Sequence, residues 1–135
     1  MAKTRRRVIL DSNFLLVPFQ FKVDVISELE GLLGSFEPLI LSTTIEELKR
    51  LAGRKPESLR RAALAALEYA VKHGVIHVKR EAEESYDDVI VRVAKDLKCI
   101  VATNDKELRR RLRKESIPTV FLRQKRKLEL DGYVD

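Results

Sequence analysis

Four clusters of acidic side chains, far apart along the chain, carry its most specific chemistry: Asp11-Ser12-Asn13, Ser42-Thr43-Thr44-Ile45-Glu46-Glu47, Tyr86-Asp87-Asp88 and Thr103-Asn104-Asp105. Three or four carboxylates converging on one crevice repel one another and raise at least one pKa unless a cation compensates. No Lys or Arg stands within these motifs. Hard carboxylate oxygens select Mg²⁺ or Mn²⁺ over zinc. His73 and His77 lie outside the motifs and read as surface or helix-end residues, and a single Cys99 leaves no zinc set to propose. A divalent cation held by such carboxylates neutralises a scissile phosphate, activates water and stabilises the leaving oxygen.

Convergence requires elements that end at one edge. Five short, continuous apolar runs, at residues 8–10, 39–41, 75–78, 99–102 and 119–122, read as strands buried on both faces. Helical patterns fill the gaps at 23–33, 44–51, 58–72, 85–97 and 104–114. Gly34, Gly53 and Gly74 stop the first three, and Ser85-x-x-Asp88 and Asn104-x-x-Glu107 start the last two. Strand alternating with helix predicts an α/β fold, a three-layer α/β/α sandwich around a mostly parallel sheet of about five strands. In such a sheet the carboxyl ends of the strands share one edge, and ligands bind just beyond it. Each acidic cluster follows one of the first four runs, and Asp11 and Asp105 follow theirs most closely.

With 21 acids among 135 residues, an acid near a strand end carries little weight by itself. Asparagine adds weight: the chain has two, Asn13 and Asn104, and each stands close to one of these acids. Each acid also has a structural use. Asp11 can close an Asx turn. Glu46 fits a capping box with Thr43, and Glu47 fits one with Thr44. Asp88 is the box partner of Ser85, which leaves Asp87 free, and both favour the helix dipole. Asp105 can complement the helix that starts at Asn104. Caps account for the acids one by one but not for their shared edge.

A net charge of +6 and a pI near 9.6 point to a polyanionic partner. A charged share of 36% with few Asn and Gln also suits a heat-adapted surface, yet the basic residues cluster at 5–7, 49–55, 109–114 and 123–127. Arg5, Arg6, Arg7, Lys49, Arg50, Arg109, Arg110, Arg111 and Arg113 are the candidates for gripping the phosphates of a polyanion's backbone, largely without reading sequence. Single-strand recognition adds stacking aromatics. Phe14, Phe19, Phe21 and Tyr86 fall near the crevice, Phe14 as core. The length suits one domain, residues 1–122, followed by a charged extension at 123–135. Lys3 to Arg7 and the run at 8–10 mimic the start of a signal peptide, but Asp11-Ser12-Asn13 end the apolar stretch. No segment approaches the roughly 20 apolar residues that span a bilayer. Cys99, among Leu97, Ile100 and Val101, fits a buried thiol in a reducing compartment. The expectation is a soluble, cytoplasmic protein with no membrane partner.

Over nearly the whole chain, the order Val8-Ile9-Leu10-Asp11-Ser12-Asn13, Thr44-Ile45-Glu46-Glu47-Leu48, Asp87-x-x-Ile90-x-x-x-Ala94 and Val101-Ala102-Thr103-Asn104-Asp105 resembles the PIN-domain nucleases. The resemblance implies a PIN-like fold with Asp11, Glu47, Asp87 and Asp105 as catalytic acids. Asp11, Asp87 and Asp105 would hold Mg²⁺ or Mn²⁺, and Ser12, Asn13, Thr103 and Asn104 would give polar support. Asp87 is preferred to Asp88 because Ile90 and Ala94 stand at family-like offsets from it. More narrowly, Tyr86-Asp87-Asp88 and the stretch from Ile100 to Arg111 resemble archaeal relatives of the small-subunit processome endonuclease, a pre-rRNA processing branch. That branch often has Cys where Asn104 stands.

The resemblance implies a metal-dependent endoribonuclease that hydrolyses phosphodiester bonds in single-stranded or structured RNA. An rRNA precursor is the expected substrate, in ribosome biogenesis, with a second copy of the chain or ribosome-assembly proteins as partners. One alternative is a toxin-type PIN ribonuclease of a toxin–antitoxin pair, against which the Arg-rich stretch after Asp105 and the basic tail argue mildly. Another is a non-catalytic RNA-binding assembly factor, for which Asp11→Asn would change no activity. A phospho-accepting receiver is set aside, because it needs an Asp right after the third strand and the run at 75–78 continues into Lys79-Arg80.

Overall fold

In the computed structural model, which describes residues 5–134, strand β1 (Arg6–Leu10) lies inside the sheet with Val8, Ile9 and Leu10 fully buried. Lys3 of the basic N-terminus and Asp135 lie outside the described residues. Side chains of a strand alternate between faces, so Val8 and Leu10 enter one hydrophobic core and Ile9 the other. The remaining strands are β2 (Phe36–Leu39), β3 (Ile100–Ala102), β4 (Thr119–Arg123) and β5 (Lys127–Asp131), in the order β2-β1-β3-β4-β5. β1 is parallel to β2 and to β3, and β3 to β4; only β5 is antiparallel.

Helices α1 (Ser12–Phe21), α2 (Val25–Leu33), α3 (Ser42–Ala52) and α4 (Glu57–His73) cover one face of the sheet. α5 (Tyr86–Leu97) and α6 (Lys106–Lys114) cover the other, burying Val89, Ile90, Val93, Leu108 and Leu112. This is the expected three-layer α/β/α sandwich. Buried Ala62, Ala63, Ala66 and Ala70 give α4 a face of small side chains against the core. Among the described residues no helix is long and apolar enough to cross a membrane.

Besides shifted bounds, such as β2 at Phe36–Leu39 and Asp105 in place of Asn104 as the cap of α6, three features depart from the sequence reading. The run at 75–78 forms no strand; it contributes one parallel bridge, Ile76 to Leu41, with Val75, Ile76 and Val78 half-buried and His77 exposed. Its apolar residues cover only the margin of one core. The fifth strand is instead Lys127–Asp131, within the stretch expected as a charged extension. As an antiparallel edge strand it needs few apolar residues: Leu128 is buried and Lys127 is exposed. Its turn carries two left-handed residues, Gln124 (φ 53°) and Lys125 (φ 59°), rather than the Asn-Gly that normally announces one. The third departure is α1, which has no amphipathic period. Phe14, Leu15, Leu16 and Val17 are buried in succession, and Pro18 sits inside the helix.

From β1 the chain crosses to β2 on one side and later to β3 on the other. That reversal falls at the carboxyl ends of β1 and β3, the place where open α/β sheets bind ligands.

Candidate active site

Asp11 follows β1 directly and is 3% exposed. It caps α1: Oδ1 accepts the Ser12 N–H at 2.8 Å, while Oδ2 accepts from Thr103 Oγ1 at 2.7 Å and from Asn13 Nδ2 at 3.1 Å. The Asx geometry and the site geometry are therefore one arrangement. Every one of these donors is neutral. Burial raises the Asp11 carboxyl to about 7; the Thr103 and Ser12 hydrogen bonds oppose this, and the charges of Glu47 and Asp87 add to it.

Hydrogen bonds tie the end of β3 and its loop to the loop after β1: Asp11 N–H donates to Ala102 C=O at 3.0 Å, Thr103 Oγ1 to Asp11 Oδ2 at 2.7 Å and Asn104 N–H to Asn13 Oδ1 at 2.9 Å. Within the loop after β3, Asp105 N–H donates to Thr103 Oγ1 at 3.1 Å. Asn104 Oδ1 in turn accepts the Leu122 N–H at 2.9 Å, which pins this loop to β4. Both asparagines are thus links between strand ends. Asp105 caps α6 through Oδ1, accepting from Glu107 N–H at 2.9 Å and Leu108 N–H at 3.1 Å. No described residue donates to its Oδ2.

The two acidic doublets separate by environment. Glu47 is half-buried and accepts the Ser12 hydroxyl, whereas Glu46 is exposed and pairs with Arg80 at 3.9 Å. Neither acts in a capping box, because the N-cap of α3 is Leu41, with no side-chain cap. Asp88 is spent on Ser85, in the box expected from sequence, and on Arg111 at 2.8 Å, and these contacts lower its pKa. Asp87 is raised by burial and by the charges of Asp105 and Glu47. Asp11 thus feels Glu47 and Asp87, and Asp87 feels Asp105 and Glu47, so the four acids are neighbours at the carboxyl edge of the sheet.

Residues 8–125 match the sequence pattern of the PIN like domain family. The chain belongs to that family. It is 35% identical over 131 residues to Ribonuclease VapC4 of Methanocaldococcus jannaschii, covering 95% of this chain and 98% of that protein. Ribonuclease VapC9 of Archaeoglobus fulgidus is 29% identical over 123 residues, 91% of this chain and 87% of that one. The solved structure of the PIN domain endonuclease Utp24 is similar with a TM-score of 0.75 and 30% identity, over 96% of this chain and 93% of that one. A domain of a functionally unknown protein from M. jannaschii shares the fold, at 20% identity and a TM-score of 0.62.

The donor set of this PIN domain suits a hard divalent cation: carboxylate oxygens, a buried Asp with neutral partners only, and repulsion that a positive charge would relieve. Among the described residues, no three acidic, His or Cys side chains form a ready-made metal cage, so Asp11, Asp87 and Asp105 are not drawn together into one. Mg²⁺ tolerates that, since it keeps several waters and binds through one or two carboxylates.

The basic candidates separate more widely. The Arg5, Arg6 and Arg7 side chains donate to the carbonyls of Phe36, Leu33 and Leu97, at the amino end of β1 and on the rim opposite the acids. A cleft of about 430 Å³ there includes Arg6, Arg7, Lys98 and Tyr133; among the described residues its one acid is Glu115, which is already paired with Lys95. Arg109 sits over Phe121, its guanidinium carbon 3.4 Å from the ring centre. Arg110 pairs with Glu107, Arg111 with Asp88 and Arg113 with Asp131. Lys49 and Arg50 lie in the last turn of α3, two and three residues beyond Glu47. Among the aromatics, Phe19 and Phe21 stand near the far end of α1, and only Tyr86 borders the acids. Arg80 was not among the candidates; it lies over Tyr86, 5.0 Å from the ring centre, and no local motif announces it.

The doublet gives a direct test. Asp87→Asn is expected to lower RNA cleavage at least about tenfold, as loss of a group that orients a metal does. Asp88→Asn is expected to leave kcat within about twofold and to lower the melting temperature slightly, through the α5 capping box. Steady-state kinetics and thermal melts of the two variants distinguish the roles, and equal kinetic losses would contradict them.

Proposed function

We propose that this PIN domain is a Mg²⁺- or Mn²⁺-dependent endoribonuclease, with a precursor of ribosomal RNA as its substrate. The observation that carries the reading is Asp11, a buried carboxylate hydrogen-bonded only to neutral groups at the sheet's switch point and repelled by Glu47 and Asp87. The relatives named as ribonucleases and the likeness to an endonuclease support RNA hydrolysis. The resemblance of the Tyr86–Asp88 and Ile100–Arg111 motifs to the pre-rRNA branch supports the choice of substrate.

A cation held by Asp11 with Asp87 or Asp105 would supply charge neutralisation at the scissile phosphate and an acidified water. The chain's own contribution is preorganisation. Thr103, Asn13 and Ser12 fix the direction of the Asp11 carboxylate, and the Ser12 hydroxyl holds Glu47. The Asp105 N–H bond to Thr103 and the α6 cap set the approach of Asp105. Basic side chains at the rim bind the flanking phosphates.

Purified protein incubated with end-labelled single-stranded RNA should cut internally with Mn²⁺ and not with EDTA, and Asp105→Asn should lose most of the activity. Equal cleavage by wild type and Asp105→Asn would point to contamination or to another site. Growth arrest on expression, relieved by a neighbouring gene product, would favour the toxin-type reading of the same chemistry.

A further inference from the structure

Most arginines near the acids are committed. Arg92 makes two hydrogen bonds to Glu84 at 2.9 Å and one to Lys79 C=O at 2.7 Å. Arg111 and Arg123 hold their carboxylates at 2.8 and 2.9 Å. Arg50 and Arg80 differ. Their carboxylate partners, Glu47 and Glu46, lie at 3.6 and 3.9 Å, beyond the 2.7–2.9 Å or so of a charge-assisted hydrogen bond. Arg80 makes one hydrogen bond, to Glu84 C=O. Both guanidinium groups gather over one ring, Tyr86, at 5.7 and 5.0 Å from its centre. That ring opens α5 immediately before Asp87, and Arg50 comes from the same helix as Glu47.

We infer that Arg50, Tyr86 and Arg80 form a nucleotide subsite beside the carboxylates, which takes one unstacked base and its phosphate from single-stranded RNA next to the cleaved bond. The inference rests on the nuclease reading above. An aromatic ring stacks any base, and planar guanidinium groups both stack and pair with phosphate in two-pronged fashion. The ion pairs to be exchanged are long and partly exposed, so a phosphodiester displaces them at small loss. A duplex cannot offer a splayed base, so the subsite favours single strands.

The test uses the full chain and a short oligouridine, intact or with one abasic nucleotide placed at successive positions. Tyr86→Ala and Arg80→Ala are expected to raise KM for the intact strand about tenfold with kcat within twofold, as loss of one stacking or phosphate contact does. Tyr86→Phe should behave as wild type. At one position only, removing the base should weaken wild type about tenfold and Tyr86→Ala hardly at all. Abasic effects of equal size in wild type and Tyr86→Ala at every position, or a fall in kcat with KM unchanged, would overturn the subsite. If Tyr86→Ala misfolds, as judged by circular dichroism, Arg80→Ala in the exposed loop decides. The nuclease reading fails separately, through Asp105→Asn cutting as fast as wild type.

Discussion

Asp11→Asn is expected to abolish RNA cleavage while making the metal-free protein more stable near pH 8. The folded Asp11 carboxyl titrates at about 7 against an ordinary value of 3.8. Between those values the native state therefore holds a proton that the unfolded chain has lost. Stability falls as pH rises through that window, and the whole penalty is present above about pH 7. Asparagine has the same shape and no charge to desolvate. It does turn an N–H toward a group that now donates, Ser12 on one side or Thr103 and Asn13 on the other, so only part of the gain survives: about 1–2 kcal/mol, or a few degrees in melting temperature. In EDTA the gain should be present at pH 8 and gone near pH 4.

A divalent cation reverses the order. Metal at a hundred times its Kd should stabilise wild type by about 2.7 kcal/mol and the variant far less, because the ligand that needs the charge is gone. Cleavage by Asp11→Asn should fall at least about 100-fold, the upper end of what indirect loss of metal support costs. Calorimetric melts with EDTA and with Mn²⁺, at both pH values, measure all of this. A variant that is less stable than wild type in EDTA at pH 8 would mean that Asp11 is a structural cap whose charge the fold accommodates. The trade is the usual one between a strained functional group and stability.

How much could be read in advance follows from what each residue does. β1, β3 and β4 were legible because strands buried on both faces write continuous apolar runs, as at Val8–Leu10. β5 was not, because an edge strand solvated on one side alternates charge with Leu128 and looks like tail. α1 was hidden by the burial that makes it indispensable: its residues are apolar on nearly every side, so no period remains. The acidic positions were legible from strand ends, and the Ser85 capping box already set Asp88 apart from Asp87. What separates Glu46 from Glu47 was not legible, because it depends on Arg80 and Ser12, partners in other elements. The two asparagines drew notice by rarity; their job of binding one loop to another could be seen only in three dimensions. The basic knot at 5–7 was misleading because charge in a sequence does not say which rim it reaches.

Thr103→Val is expected to lower kcat/KM for RNA about 10- to 100-fold without removing a charge. Thr103 is fully buried at the end of β3, and its hydroxyl does two things at once. It donates to Asp11 Oδ2 at 2.7 Å and accepts the Asp105 N–H at 3.1 Å, so one oxygen sets two acids that lie 94 residues apart in the chain. Valine keeps the shape and leaves the Asp105 N–H without its acceptor, at a cost of about 1–3 kcal/mol. The Thr103 bond is the largest influence holding the Asp11 carboxyl down against burial, so its loss should move that group further up from about 7. The acidic limb of the pH–rate profile should shift to higher pH accordingly, and raising Mn²⁺ should recover part of the loss because the cation competes with the proton. Thr103→Ser, which keeps the hydroxyl, should restore both the rate and the pH profile to near wild type. If Thr103→Val instead melts lower but cuts RNA at the wild-type rate with an unshifted profile, the hydroxyl braces the loops and does not orient the acids.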